Sequence, residues 1–314
     1  MKLYHGINDR KIKPAPRAVA IGVFDGVHRG HRKILNRMLA QARRFHLSPT
    51  VITFDPHPNR VLRPRSKEPI LMSLPHRLRI FKALGAAETI VIHFNKKIAV
   101  ISRREFLEEV LLKQLNMRSL TVGHDFRFGC KGAGNTAFLK AESRRLKFKL
   151  SLIQALKHGR EIISSTRIRQ LVERGELKKA RQMLGRPVSV YGTVVRGRGR
   201  GRSTGFPTAN LNMHHETLPP NGVYAAYGFL GGRRLKGVIH IGVRPTFKDQ
   251  QKSLEAHFLN FHKNIYGKEL ELIFIARLRD TRKFKSSALL QAAIRNDIRE
   301  TLFLFTKPVK ASII

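Results

Sequence analysis

Two histidines, His28 and His31, lie three residues apart, directly after a short apolar stretch, Ala18 to Phe24. This stretch has the length and composition of a buried strand, and the residues that follow the histidines, Arg32 to Arg44, show a helical pattern. The start of such a helix presents unpaired backbone N–H groups and the positive end of the helix dipole. We therefore expect a turn at which the backbone and both imidazoles bind phosphate oxygens.

Gly26 and Gly30 lie in the same turn, where the absence of a Cβ atom lets the backbone approach a ligand closely. A histidine pair after a glycine turn is also compatible with two surface histidines in solvent. The preceding strand, the Phe-Asp-Gly sequence at residues 24–26 and the following helix together favour a binding site.

The segment from Gly22 to His31 resembles the first motif of the bacterial bifunctional riboflavin kinase/FAD synthetase family, within the nucleotidyltransferase superfamily. The resemblance implies a Rossmann-like domain with a parallel sheet that transfers the adenylyl group of ATP to FMN. It implies that His28 and His31 are catalytic. It further implies that the nucleotide is bound by Gly22, Phe24, Asp25, Gly26 and Gly30.

Length and composition fit a globular chain of about two domains, with 314 residues of which 42% are hydrophobic. The apolar run at the N-terminal side is too short for a signal peptide or a membrane span. Cys130 is the only cysteine, which excludes an intrachain disulfide and disfavours a cysteine metal site. We expect a cytoplasmic protein without a membrane partner.

The formal net charge is +40. Residues 1–185 carry 39 basic and 13 acidic side chains, a net +26, and residues 186–314 carry 22 and 8, a net +14. A dedicated nucleic-acid-binding arm would concentrate this charge, so its spread indicates a general bias that also attracts phosphate-rich substrates. We expect non-specific RNA or DNA binding at low salt and no specific nucleic-acid partner.

Further along the first half, strand-like and helix-like segments alternate, which predicts a parallel sheet with crossover helices. His57 follows the second predicted strand in a proline-rich loop, where it either faces a nucleotide or lies in solvent. The predicted strands after the first are 50–54, 89–94 and 119–122, and the predicted helices are 74–84 and 103–115.

A glycine-rich loop, residues 123–135, follows the fourth predicted strand. Taken alone, it is a loop with two core aromatics. It also resembles the second synthetase motif of the family, which implies that Asp125, Phe126 and Phe128 bind flavin. The family usually has aspartate where this chain has Asn135.

The segment 164–169 precedes a predicted helix, for which Ser165 or Thr166 is a suitable N-cap. It resembles the third nucleotide motif of the family. That resemblance implies that Ser165 and Thr166 hold the triphosphate and that Arg169 neutralises charge on the departing pyrophosphate. A further predicted helix ends at Gly185, where we place the boundary between an adenylyltransferase domain, 1–185, and a riboflavin kinase domain, 186–314.

The second half contains several short strand-like runs and a terminal helix, 285–305, which predicts a small antiparallel β-barrel of the Greek-key type. The predicted strands are 188–195, 222–230, 234–241, 253–261 and 269–278.

A glycine–arginine segment begins this half, with Gly197, Gly199 and Gly201 alternating with arginines up to Arg202. Such a segment can wrap nucleotide phosphates or bind RNA as an RGG-like element. Its shortness and its place between strands favour the phosphate interpretation.

Residues 207–210, Pro-Thr-Ala-Asn, resemble the riboflavin kinase signature. The resemblance implies that Thr208 and Asn210 hold Mg²⁺ and the ATP phosphates through their side-chain oxygens.

Glu255 shares one face of a predicted strand with His257, where its carboxylate either takes a proton from an attacking hydroxyl or lies in water at a sheet edge. The resemblance implies that Glu255 is the catalytic base of the kinase and that Arg279 contacts nucleotide or flavin. The family more often has asparagine at His240 and aspartate at Asn260.

Together these resemblances imply two reactions with Mg²⁺ and ATP, the phosphorylation of riboflavin to FMN and the adenylylation of FMN to FAD. Two alternatives remain at this point. One is an adenylyltransferase whose barrel binds flavin without activity, and the other is a basic nucleic-acid-binding protein.

Overall fold

The computed structural model describes residues 1–63, 69–197, 205–213, 217–245 and 250–306. Backbone contacts divide the chain into two compact units. Of the described residues, those within 1–69 and 74–164 form the first unit, and those within 70–73 and 165–306 form the second. By this criterion residues 165–185 cluster with the second unit, so the domain boundary after residue 185 stays a prediction.

The first unit contains a six-stranded sheet in the order β1-β4-β3-β2-β5-β6, and every pairing in it is parallel. This confirms the predicted parallel sheet. The chain leaves β2 towards β3 on one side and returns as β5 on the other, which is the topological arrangement at which open α/β sheets bind ligands. The strands are β1 Lys2–His5, β2 Arg17–Ile21, β3 Ser48–Phe54, β4 Glu88–Ile92, β5 Met117–Gly123 and β6 Lys149–Ile153.

Helices connect these strands. The first is amphipathic and turns five apolar side chains, between Ile34 and Ala42, towards the sheet at helical spacing. The predicted helix 103–115 is a short α-helix that continues as a π-helix, Phe106–Gln114. The α-helices are α1 Arg29–Arg44, α2 Pro58–Leu62, α3 Leu74–Leu84, α4 Lys96–Ala99, α5 Arg103–Glu105 and α6 Thr136–Arg145. The unit also contains a 3-10 turn, Cys130–Gly132, and a two-stranded ribbon of β7 Lys157–His158 and β8 Glu161–Ile162.

A buried polar cluster lies at the amino ends of the strands, at the edge opposite the predicted phosphate-binding turn. Arg17 begins β2 and is fully buried, and its Nε atom donates to Oε2 of Glu88 at 2.8 Å. Glu88 also accepts hydrogen bonds from the hydroxyls of Tyr4 and Thr50. These hydrogen bonds join β2, β3 and β4 near their first residues. They also satisfy the polar atoms of the buried ion pair, which would otherwise be costly.

The second unit is built around a closed barrel in the order β10-β13-β12-β11-β14-β9, with every pairing antiparallel. This confirms the predicted barrel. A terminal helix packs on its outside, where Tyr227 and Phe305 stack at a centroid distance of 4.3 Å. The elements are α7 Ser165–Glu173, α8 Leu177–Leu184, β9 Ser189–Val195, β10 Ala209–Met213, β11 Gly222–Leu230, β12 Arg233–Pro245, β13 Gln250–Phe258, β14 Glu269–Arg279 and α9 Ser287–Thr306. Among the described residues, no helix is long and apolar enough to span a membrane.

Candidate active sites

The structure brings His28 and His31 together at the start of α1. His28 is the N-cap residue, and its Nδ1 atom accepts a hydrogen bond from the backbone N–H of His31 at 3.3 Å. The two rings stack at a centroid distance of 3.6 Å. Because Nδ1 accepts this bond, a neutral His28 carries its proton on Nε2. The predicted histidine pair is thus a single preorganised unit at a helix N-terminus.

The turn before the histidines has an unusual backbone. Phe24 and Val27 have φ angles of +53° and +37°, in the left-handed region that non-glycine residues rarely adopt, and Gly26 has +81°. The predicted strand ends three residues early, at Ile21, where its pairing with β3 ends, and the chain has left the extended region by Phe24.

The glycines of this turn make room for its own side chains. A Cβ atom at Gly30 would lie 3.1 Å from Cε1 of His28, and one at Gly22 would lie 3.0 Å from the ring of Phe24. Phe24 is itself buried, and its ring packs edge-on against His31 and Phe81. Gly22 and Gly30 therefore permit the internal packing that positions the histidines.

Arg77, on α3, binds the backbone of this turn and was missed by the sequence analysis. Its side chain is buried, and Nη1 donates to the carbonyl oxygen of Val23 at 2.5 Å and to Oγ1 of Thr53 at 2.9 Å. Nη2 donates to the carbonyl oxygen of Phe54 at 3.3 Å. One guanidinium thus joins the loop after β2 to the end of β3.

Two carboxylates surround this guanidinium. Nη2 of Arg77 lies 3.9 Å from Oδ1 of Asp55, and the carboxylate of Asp25, which is buried, acts on the same charge. Burial lowers the pKa of Arg77 from its ordinary value, and Asp25 and Asp55 oppose that shift. An arginine remains protonated in a protein, so Arg77 places a positive charge next to the turn, and the two carboxylates balance it.

His57 follows β3 and lies at the same carboxyl edge of the sheet. It caps α2, and its Nδ1 atom accepts a hydrogen bond from the backbone N–H of Asn59 at 3.1 Å. The structure gives His57 a local capping role, and a contact with nucleotide stays a prediction.

The predicted flavin loop follows β5. The side chain of Asp125 is 83% exposed, whereas Phe126 and Phe128 stack at a centroid distance of 5.5 Å. Phe128 is buried and also packs against Phe106 of the π-helix, so it belongs to the core of the first unit. Asp125 is thus exposed and Phe126 is half-buried against the core, and contact of Asp125, Phe126 and Phe128 with flavin stays a prediction.

Asn135 replaces the usual aspartate of the family and caps α6. Its Oδ1 atom accepts a hydrogen bond from the backbone N–H of Phe138 at 2.9 Å. Asparagine and aspartate are about equally good N-caps, so this departure preserves the local helix start.

Ser165 and Thr166 occupy the first turn of α7, and Arg169 lies one turn later with its side chain buried. Because α7 begins at Ser165, the N-cap position is Ser164, one residue before the predicted cap. The predicted caps, Ser165 and Thr166, are therefore residues of the first helical turn.

In the barrel, three polar side chains lie in register across neighbouring strands. Asn210 on β10 pairs with Glu255 on β13, which pairs in turn with His240 on β12. Paired residues on adjacent strands have neighbouring side chains on one face of the sheet. Partial burial lowers the pKa of His240, and the charge of Glu255 opposes that shift.

Gly197 is the described member of the glycine–arginine segment. A Cβ atom there would lie 2.0 Å from Nδ2 of Asn210, so only glycine leaves space for the amide. Gly199, Gly201 and Arg202 lie outside the described residues, and their contact with nucleotide stays a prediction.

Two cavities open next to this row. The first has a volume of about 460 Å³ and is lined by Thr208 together with the segment 261–266, which includes Lys263 and Tyr266. The second has a volume of about 470 Å³ and is lined by Glu255 and by aromatic and apolar side chains from several elements. Thr208 lines both cavities, so the two meet at the predicted kinase signature.

The wall of the second cavity contains residues that the sequence analysis did not single out. Phe206 and Phe284 are its aromatic members, and Asp297 of α9 forms an ion pair with Arg279. Arg279 also lies 5.6 Å from the centroid of the Phe284 ring. Asp297 and Phe284 lie beyond β14, in a part of the chain that the motifs do not reach.

Comparison with known proteins finds two family models that match in series. A family model described as FAD synthetase matches residues 11–167, and one described as riboflavin kinase matches residues 184–305. The bifunctional riboflavin kinase/FMN adenylyltransferase of Escherichia coli K12 is 33% identical over 98% of this chain and 100% of its own length. The protein of that name from Haemophilus influenzae is 32% identical over 97% and 99%.

A crystal structure described as a macrolide-efflux protein from Streptococcus pneumoniae has the same fold. It superposes with a TM-score of 0.81 and 27% sequence identity, covering 96% of this chain and 99% of its own. Both units therefore occur together, in the same order, in an experimentally determined structure.

Proposed function

We propose residue roles for two reactions from the premise that this chain belongs to the bifunctional riboflavin kinase/FMN adenylyltransferase family. The chain phosphorylates riboflavin to FMN with ATP, and it then adenylylates FMN with a second ATP to form FAD and pyrophosphate. The observation that carries this conclusion is that both family models match in series, each over one of the two constellations described above.

In the kinase unit, Glu255 acts as the general base. It lines the second cavity, whose aromatic walls suit the planar ring of riboflavin, so its carboxylate faces the 5′-hydroxyl that attacks the γ-phosphorus of ATP. The first cavity receives the nucleotide, where Lys263 supplies positive charge. Thr208 lies where the two cavities meet, which is where the phosphoryl group is transferred.

The donors beside Glu255 fit Mg²⁺. Thr208 and Asn210 offer neutral side-chain oxygens, and the described residues contain no cluster of three or more histidines, cysteines or carboxylates that could hold a metal. Mg²⁺ commonly uses one or two protein oxygens and takes its remaining ligands from phosphates and water. Thr208 and Asn210 would hold the ion, which when bound neutralises charge on the transferred phosphoryl group.

In the adenylyltransferase unit, catalysis depends on positioning and charge. The phosphate of FMN attacks the α-phosphorus of ATP directly, so the protein supplies no nucleophile. His28 and His31 donate to phosphate oxygens at the N-terminus of α1, where the helix dipole adds positive potential. In this proposal Asp125 and Phe126 contact the flavin, and Ser165, Thr166 and Arg169 bind the triphosphate.

A chromatographic time course with riboflavin, ATP and Mg²⁺ tests both reactions. We expect FMN to appear first and FAD later. His28→Ala should stop the reaction at FMN, and Glu255→Gln should leave riboflavin unchanged but still convert added FMN to FAD. Glu269→Gln, on β14, is the control for Glu255→Gln and should behave as the wild type.

Two other outcomes would change the assignment. FAD formed from FMN but not from riboflavin would indicate an inactive, flavin-binding barrel. No product from either flavin, with steeply salt-dependent RNA binding, would favour the basic nucleic-acid-binding alternative.

A further inference from the structure

We propose that Arg77 is a positioning residue for FMN adenylylation, acting from α3 on the phosphate-binding turn without touching substrate. This inference rests on the proposed roles of His28 and His31. It goes beyond them because Arg77 belongs to none of the motifs and lies 46 residues after the second histidine.

The contacts of Arg77 converge on the point where the turn begins. Its Nη1 atom reaches the carbonyl oxygen of Val23, the last residue before the left-handed Phe24. Oγ1 of Thr53, which accepts from the same Nη1 atom, donates to that carbonyl at 3.1 Å. Two donors therefore fix the orientation of the peptide group that starts the turn.

The turn needs such a restraint because its conformation is unfavourable by itself. Phe24 and the β-branched Val27 both have positive φ angles, which persist only when surrounding contacts determine them. His28 follows Val27 directly, and its ring orientation sets that of His31 through the stacked contact. Loss of the Arg77 donor leaves only Thr53 on the carbonyl of Val23, and we expect this weaker restraint to displace both imidazoles.

Charge makes arginine the suitable residue at this position. Asp25 is buried in the same turn, and its negative charge opposes the lowering of the Arg77 pKa by burial. A neutral side chain at position 77 would remove one positive charge from the surroundings of this buried carboxylate, at the turn where we propose that phosphates bind. A lysine would keep the charge, but a single ammonium group cannot reproduce the planar geometry that reaches Val23 and Phe54 together.

Arg77→Ala tests the inference, with Lys82→Ala as the matched control because Lys82 is an exposed cation on the same helix. We expect kcat for FAD formation from FMN to fall about 100-fold in Arg77→Ala, as misplaced catalytic groups cause. Riboflavin phosphorylation, in the other unit, should stay within twofold. Lys82→Ala should retain both activities.

Chemical rescue separates positioning from general structural support. Guanidinium ion at millimolar concentration should restore FAD formation by Arg77→Ala at least tenfold, whereas tetramethylammonium ion should not. Arg77→Lys should give an intermediate rate. Amide hydrogen exchange should accelerate at residues 24–31 of Arg77→Ala while strands β2 to β5 keep their protection.

The wild-type assay separates failure of this inference from failure of the proposed function, since wild-type protein that makes no FAD would overturn the latter. A folded Arg77→Ala variant with kcat within twofold of Lys82→Ala would overturn the role of Arg77. If the alanine variant does not fold, Arg77→Lys decides, and a wild-type rate in that variant would have the same meaning.

Discussion

Arg279 and Asp297 form a two-point ion pair, with Nε–Oδ1 and Nη2–Oδ2 distances of 2.8 Å. The pair joins β14 to α9 at the wall of the second barrel cavity, and the side chain of Asp297 is only 4% exposed. Nη1 of Arg279 also donates to the carbonyl oxygen of Asp280. The protein thus engages all three nitrogens of Arg279, and the ion pair holds α9 against β14. Contact of Arg279 with nucleotide or flavin stays a prediction.

Asp297→Asn should loosen this attachment. The substitution leaves the partly buried guanidinium without its carboxylate, and we expect unfolding of the barrel to become easier by about 2 kcal/mol. The KM for riboflavin should rise, because α9 supplies part of the cavity wall. Urea unfolding and kinase assays measure the two effects. Asp280→Asn, whose carboxylate is 81% exposed, is the control and should change neither.

His28→Asn should separate catalysis from helix capping. Asparagine is a good N-cap, so this variant should keep the stability of the wild type, whereas His28→Ala should lose about 1 kcal/mol. Both variants should lose FAD formation by about 100-fold, since neither retains an imidazole at the phosphate site. Thermal unfolding and FMN adenylylation assays give the two readouts. Wild-type activity in His28→Asn would mean that the histidine serves only as a cap.

The architecture was largely predictable because its signals are local. Apolar runs of strand length and intervening helical patterns identify β2 to β5, and the short runs of the second half identify the barrel. The strand β10, Ala209–Met213, was missed because two of its five residues are asparagines and a proline lies two positions before it. It is nevertheless required for closure, since it pairs with both β9 and β13. Only the tertiary pairing identifies such a strand.

Site residues could be predicted where they lie close together in the sequence. Those that meet only when the chain folds could not. His28 and His31 are three positions apart, so the sequence alone places them at one helix start. Arg77 lies 54 residues from Val23, and within a helical pattern its side chain resembles any solvated cation. Asp297 is similarly a polar residue of a terminal helix until β14 brings Arg279 to it. A single sequence does not identify such positioning residues, because their partners are distant along the chain.

Glu88→Gln should be the most destabilising of the single changes considered for the first unit. It removes the charge that Arg17 faces at 2.8 Å. The side chains of Arg17 and Glu88 are 0% and 7% exposed, so a buried guanidinium would remain without its charged partner. We expect a loss of about 3–5 kcal/mol in the free energy of unfolding. Glu109→Gln breaks an exposed ion pair with Lys113 and should have no measurable effect. Equal stabilities of the two variants in urea would contradict the prediction.

His240 should make the stability of the barrel depend on pH. Partial burial lowers its pKa in the folded protein below the ordinary value of 6.5, despite the opposing charge of Glu255. Below about pH 6.5 the unfolded chain therefore binds more protons than the folded one, and stability decreases as the pH falls towards the folded pKa. Above that window both states are neutral at this residue, and the contribution is constant. His240→Asn and His240→Gln, which cannot titrate, should remove this part of the decrease. Urea midpoints measured between pH 5 and 8 give the comparison, and parallel curves for the wild type and both variants would exclude His240 as the source.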